Sequence, residues 1–148
     1  MLNAEQGFLA VSTFLNDLWE GPSRSDELGL FCGMIHYVPG EGSSDPAMWY
    51  DWLARVHQRQ TGVLVPEGTG RRGKLSAELM KLLDPEQAYL AMYDFIEEYW
   101  LRVNRPAELG DLLGQLRYTA RAGSADPAMW PRWLDAVRKV QSDTSAAP

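Results

Sequence analysis

Between residues 5 and 19 the chain reads EQGFLAVSTFLNDLW. Phe8, Val11, Leu15, Leu18 and Trp19 are apolar at steps of three and four, so they share one stripe of a helix, and polar residues fill the other side. The pattern returns 81 residues later in EQAYLAMYDFIEEYW, with Tyr89, Met92, Ile96, Tyr99 and Trp100 on the stripe. A shorter second helix is predicted from 27 to about 35, and again from 108 to about 116. Gly33 and Gly114 fall inside these helices, where glycine costs about 1 kcal/mol against alanine; their recurrence predicts a close helix–helix approach. A third helix is predicted twice, opened by DPAMWYDWL at Asp45 and DPAMWPRWL at Asp126. Trp49, Trp52, Leu53 and Val56 follow at i, i+3, i+4 and i+7, and Trp130, Trp133, Leu134 and Val137 repeat that face. No useful length of chain alternates with the period of a strand, and GVLV at 62–65 is the only β-like run.

With the offset of 81 kept and no gap opened, about 23 of the 57 positions from 4 to 60 are identical in the later copy. Such self-similarity is the mark of a tandem duplication. The six tryptophans fall in equivalent pairs, which predicts paired cores because tryptophan is large and dominates the packing where it is buried. The predicted fold is all-α: two tandem three-helix repeat units packed into one compact helical domain. The first unit spans 1–60. Residues 61–84 form a Gly- and Pro-rich linker with a short helix over 76–83. The second unit spans 85–140, and 141–148 is expected as a disordered, frayed tail.

The repeated motif reads as architecture. Asp45 and Asp126 stand where a carboxylate caps the free N–H groups of a first helical turn, and Pro46 and Pro127 then occupy the position where a missing N–H is no loss. Asp84 and Pro85 have the same relation to the fourth predicted helix. Pro131 replaces Tyr50 about one turn into the repeated helix. There it removes a backbone hydrogen bond, which predicts a local kink or a delayed helix start in the second copy.

Composition narrows the function classes. The 148 residues are 45% apolar and 23% charged, a globular balance. The net charge of −6 disfavours nucleic acid, which wants a basic face, and favours a basic protein partner. The acid excess is concentrated in residues 1–66, with 8 acids against 3 bases. The single cysteine, Cys32, permits no internal disulfide and no thiolate metal cluster, compatible with a reducing cytoplasm. Leu113 stands at its equivalent, so Cys32 is expected as a small buried residue. No stretch approaches the ~20 apolar residues of a membrane span, so no membrane partner is expected. The opening residues, which carry Glu5 and Asp17 and no basic region, read as an amphipathic helix and not a signal peptide. GTGRRG at 68–73 matches a glycine-rich phosphate fingerprint in letters but lacks the strand and sheet that give it meaning, so a flexible basic linker is the plainer reading. His36 and His57 become Arg117 and Arg138 in the second copy, as surface positions that tolerate a cation would. Neither has a ligand partner at i+3 or i+4, and no metal or cofactor is expected.

The outward faces are the better candidates for function. Asp94, Glu97 and Glu98 lie at i, i+3 and i+4, opposite the apolar stripe. Their equivalents are Thr13, Asn16 and Asp17, with Glu20 a turn further. Tyr50 and Asp51, expected on the outer face of the third helix, become Pro131 and Arg132. Candidate partner-binding residues are therefore Asp17, Glu20, Tyr50, Asp51, Asp94, Glu97 and Glu98. A plain solvated acidic face would look the same. Conserved stripes with diverged outer faces are nonetheless what a duplicated binding scaffold would carry.

The string PEQAYLAMYDFIEEYWLR, the ELGDLLGQL that follows and the closing GSADPAMWPRWLDAV resemble a family of small helical bacterial proteins. Its single-copy pattern has an acidic helical start, a short L-G-x-L helix and a D-P-A-x-W-x-x-W-L closing helix. It is associated with immunity proteins of polymorphic toxin systems, including contact-dependent inhibition, Rhs and type VI effectors. Residues 85–140 match this pattern well and 4–60 more loosely, at Ser12, Thr13 and Asn16. The resemblance implies a cytoplasmic protein that binds a cognate toxin domain and occludes its active site; the net acidity adds the expectation of a basic surface on that partner, and the lack of a catalytic constellation that of a non-enzymatic role. A helical scaffold in another assembly and a small enzyme acting on nucleotides through 68–73 are the alternatives.

Overall fold

The structure, a computed structural model, describes residues 1–21, 25–38, 42–63, 81–119 and 123–146. Helices dominate it. In chain order the elements are α1 (Ala4–Glu20), α2 (Asp26–Ile35), β1 (Tyr37–Val38), β2 (Gly42–Ser43), α3 (Pro46–Thr61), α4 (Pro85–Arg102), α5 (Ala107–Leu116), β3 (Tyr118–Thr119), β4 (Gly123–Ser124) and α6 (Met129–Ala146). The all-α class expected from periodicity holds, with one addition. β1 pairs antiparallel with β2, and β3 with β4, as two small hairpins. Two-residue strands carry no readable period, so the sequence pattern could not announce them.

Local chemistry explains the helix starts. Asn3 accepts a hydrogen bond from the Gln6 amide at 2.7 Å while the Gln6 side chain accepts from the Asn3 amide at 2.9 Å. Asp84 and Gln87 form the same reciprocal box ahead of α4. Each box satisfies two N–H groups that the helix leaves unpaired. Asp45 accepts from Ala47 and Asp126 from Ala128, both at 3.0 Å. The cap is thus present twice, but α3 begins at Pro46 whereas α6 begins only at Met129. Pro131 explains the delay: it has no N–H to give the carbonyl four residues back, so the first regular turn forms later.

Several sequence readings need adjustment. Gly33 and Gly114 meet no neighbour; a Cβ there would find nothing within 4 Å. The close approaches occur one turn earlier, where a Cβ on Gly29 would lie 2.7 Å from the Trp19 indole nitrogen and one on Gly110 3.3 Å from that of Trp100. Gly62 belongs to no strand. It ends α3 in the left-handed conformation at φ 73°, and 64–65 lie outside the described residues. Of the helix expected over 76–83, residues 76–80 lie outside the described residues and 81–83 are not helical. Leu83 instead exchanges two 2.7 Å backbone hydrogen bonds with Leu2. At the other end α6 runs to Ala146, into the segment expected as a frayed tail.

One apolar core runs through the described residues. Trp52 and Trp133 are fully buried in it. Each donates its indole N–H at 2.9 Å to the carbonyl at the start of the helix it packs on, Ala4 for Trp52 and Pro85 for Trp133. Trp19 and Trp100, half-buried, donate to the carbonyls of Ser25 and Pro106. The ring contacts also recur: Phe8 touches Tyr37, Trp49 and Trp52, and Tyr89 touches Tyr118, Trp130 and Trp133, at nearly equal spacings. Beyond these, the most extensive helix contacts join early elements to late ones, α1 to α6 and α3 to α4. Trp52 thereby reaches Phe95, and Trp133 reaches Phe14.

Candidate functional site

The acidic face of α4 does not look outward. Arg55 and Arg59, one turn apart on α3, meet Glu98 and Asp94, one turn apart on α4. Arg59 grips Asp94 with two hydrogen bonds of 2.6 and 2.9 Å. The Arg55 Nε lies 3.1 Å from Glu98 Oε2. Arg102 reaches back from the end of α4 to Asp51 at 3.0 Å, stands 4.0 Å from Glu98, and lies 5.7 Å over the Tyr99 ring. Three acids and three arginines thus interleave along one helix pair.

This arrangement corrects the placement of three candidate residues. Asp51 is buried, with 3% of its surface exposed, and not on the outer face of α3. The carboxylates of Asp94 and Glu98 are mostly covered and engaged by arginines. The expectation failed because the polar side of α4 was judged against its own apolar stripe alone. α4 packs on α5 and α6 as well as on α3, and the α3 contact is charged. The usable signal was the matched spacing of Arg55 with Arg59 and of Asp94 with Glu98, both at i and i+4, a pairing geometry that needs a known neighbour to become meaningful.

The remaining candidates stay at the surface. Asp17 and Glu20 are exposed near the end of α1, and Glu97 is half-exposed on α4. Tyr50 is half-buried and packs against the rim of the core. Sequence reasoning missed the ground beside Asp17. There α1 and α6 leave a cavity of about 360 Å³, lined by Phe14, Asp17, Leu18, Arg132 and Asp135. Phe14 and Leu18 border it from the core side and are themselves fully covered. Its rim is charged, and Asp135 also pairs with Arg138 at 2.7 Å. A second hollow of about 270 Å³ lies against the β3–β4 hairpin, lined by Tyr118, Gly123, Ser124, Pro127, Trp130 and Pro131. The varied pair Pro131-Arg132 therefore contributes to both openings. Comparison with Tyr50-Asp51 was the sequence signal that pointed there.

Groups that could do chemistry are subdued. Cys32 is buried, and burial pushes its thiol up to about 12, so a reactive thiolate is disfavoured at neutral pH. Burial also raises Tyr37 and Tyr89 well above the usual phenol range, and the Tyr37 hydroxyl additionally donates to Glu5 at 2.8 Å. His36 is exposed and His57 half-buried. No cluster of three or more potential metal ligands occurs among the described residues. No helix among them is long and apolar enough to cross a membrane. The GTGRRG segment at 68–73 lies outside the described residues. What the described surface offers is shape and charge: two hollows, one with a rim of mixed sign. Compared with protein-family models, curated proteins and solved structures, the chain matches none of them.

Proposed function

We propose that this chain is an immunity protein: two tandem three-helix units in one helical domain that neutralise a secreted bacterial toxin in the cytoplasm by binding its catalytic domain and occluding the active site. The observation that carries this reading is the unequal use of charge. The acids between α3 and α4 are engaged by arginines inside the molecule, whereas Asp17 and Glu20 stay exposed beside an open, charged cavity. Exposed carboxylates of this kind speed encounter with a basic partner and suppress wrong ones. The resemblance of 85–140 to toxin-immunity proteins supports the same reading. Equivalent hydrogen bonds and ring contacts at an offset of 81 support the duplicated architecture, as does the bridge between the equivalent residues Leu2 and Leu83.

The test is co-expression with the toxin domain encoded beside the gene. Restored growth together with a co-purifying complex is the expected result, and the absence of both would end the proposal. Within a complex, Asp17→Lys with Glu20→Lys should weaken binding in a salt-sensitive way. Asp94→Lys with Glu98→Lys should instead destabilise the fold, because those carboxylates hold α3 to α4.

A further inference from the structure

The α1–α6 cavity has a filled counterpart elsewhere in the molecule. Between α3 and α4 the Arg102 guanidinium lies over Tyr99, against Asp51 and near Glu98, and Arg55 approaches Glu98 from the other helix. Moving each position by the 81-residue offset, Phe95, Glu98, Tyr99 and Asp51 become Phe14, Asp17, Leu18 and Arg132. Those four are among the five residues that line the cavity. The two arginines that occupy the α3–α4 slot become Ala136 and Gly21. The cavity is thus the same slot without its guanidinium groups, with a carboxylate kept at Asp17 and a second added at Asp135, where α3 has Ala54. Asp17 and Arg132 make no ion pair among the described residues.

We propose that this cavity receives an arginine side chain of the protein partner, its guanidinium bonding to the carboxylates of Asp17 and Asp135. A planar guanidinium suits the site better than an ammonium. It offers donors in two directions at once, toward carboxylates on opposite helices. The protein already holds arginine this way between α3 and α4. Arg132 stands where Asp51 stands in the filled slot, so it opposes the incoming cation and limits affinity for an arginine that arrives alone. Arg138 pairs with Asp135 from the outside.

The partner in this inference rests on the proposed function, but the cavity can be tested without it. Nα-acetyl-arginine methylamide is titrated into the intact protein and followed by amide and methyl NMR, beside the lysine and glutamate analogues. The arginine probe should give saturable shifts at Leu18 and at 132–135, weaker shifts with lysine and none with glutamate. Asp17→Asn should weaken the probe about tenfold, the loss of one charge-assisted hydrogen bond. Arg132→Ala should tighten it. No saturable shift with arginine, equal shifts from all three analogues, or indifference to Asp17→Asn would overturn the cavity assignment even where toxin rescue succeeds. Probe binding without rescue would instead overturn the partner.

Discussion

Two helix pairs join the early part of this molecule to the late part, and they are made of different material. Between α3 and α4, arginines and carboxylates alternate, with Asp51 buried among them. Between α1 and α6, the positions equivalent to Arg55 and Arg59 are Ala136 and Val140, both buried, and the contact is tied by Trp133 against Phe14. Taking charges out of water costs several kcal/mol per ion, so a buried ladder adds little net stability over a well-packed apolar contact. What it adds is choice of partner. In a chain whose helices come in near-copies, α3 and α6 present almost the same aromatic face and could exchange places. Arg55 and Arg59 find matching acids on α4, but on α1 they would meet Asp17 and the uncharged Thr13. Specificity of this kind comes from what the wrong arrangement lacks.

The comparison can be broken at four places. The largest effect is expected at the shared pivots: Trp52→Ala and Trp133→Ala should each cost about 3–5 kcal/mol in urea denaturation. A much smaller loss at Trp133 would mean that the α1–α6 contact does not depend on its tryptophan as the α3–α4 contact does. Next comes the charged pair. Asp51→Ala should cost about 3 kcal/mol, near the lower end for breaking a buried ion pair because Arg102 keeps access to water. Its counterpart Arg132→Ala should stay within about 0.5 kcal/mol. Equal losses would erase the distinction between ladder and cavity. Third, Gly29→Ala should be destabilising because its Cβ would press on Trp19, whereas Gly33→Ala, with open space around it, should stabilise by up to about 1 kcal/mol. A gain at both would deny the close approach at Gly29. The smallest effect is at the exposed rung. A double-mutant cycle on Arg59 and Asp94 should give about 0.5–1 kcal/mol, shrinking as salt is added. A coupling untouched by salt would show that this rung is as buried as the Asp51 one.

Much of the helical frame was readable before the fold was known. The stripe through Phe8, Val11, Leu15 and Leu18 predicted α1, and all four are buried. Asp45 caps α3 as its spacing implied, Asp126 makes the same bond to the turn ahead of α6, and Pro131 delays α6 as its chemistry requires. The candidate surface was legible only in part. Asp17 and Glu20 are exposed as expected. The sequence places Asp51, Asp94 and Glu98 outward because nothing in their own helices shows what packs across from them. The glycines misled for a similar reason. Gly33 and Gly29 are equally permissive in a sequence, and only the position of Trp19 decides which one needs its missing side chain.

By itself the sequence determined what is local: where helices begin, which side of each is apolar, and that the unit occurs twice. These follow from hydrogen bonds and periodicities that act within one or two turns. Only the tertiary structure decided which helix lies against which. With that choice came the fate of every carboxylate, since a charge becomes a strut or a contact point according to whether an arginine distant in the chain reaches it. Glu98 and Asp17 are equivalent residues of one repeated pattern. Arg55 and Arg102 cover the first, and Ala136 and Gly21 leave the second beside an open cavity.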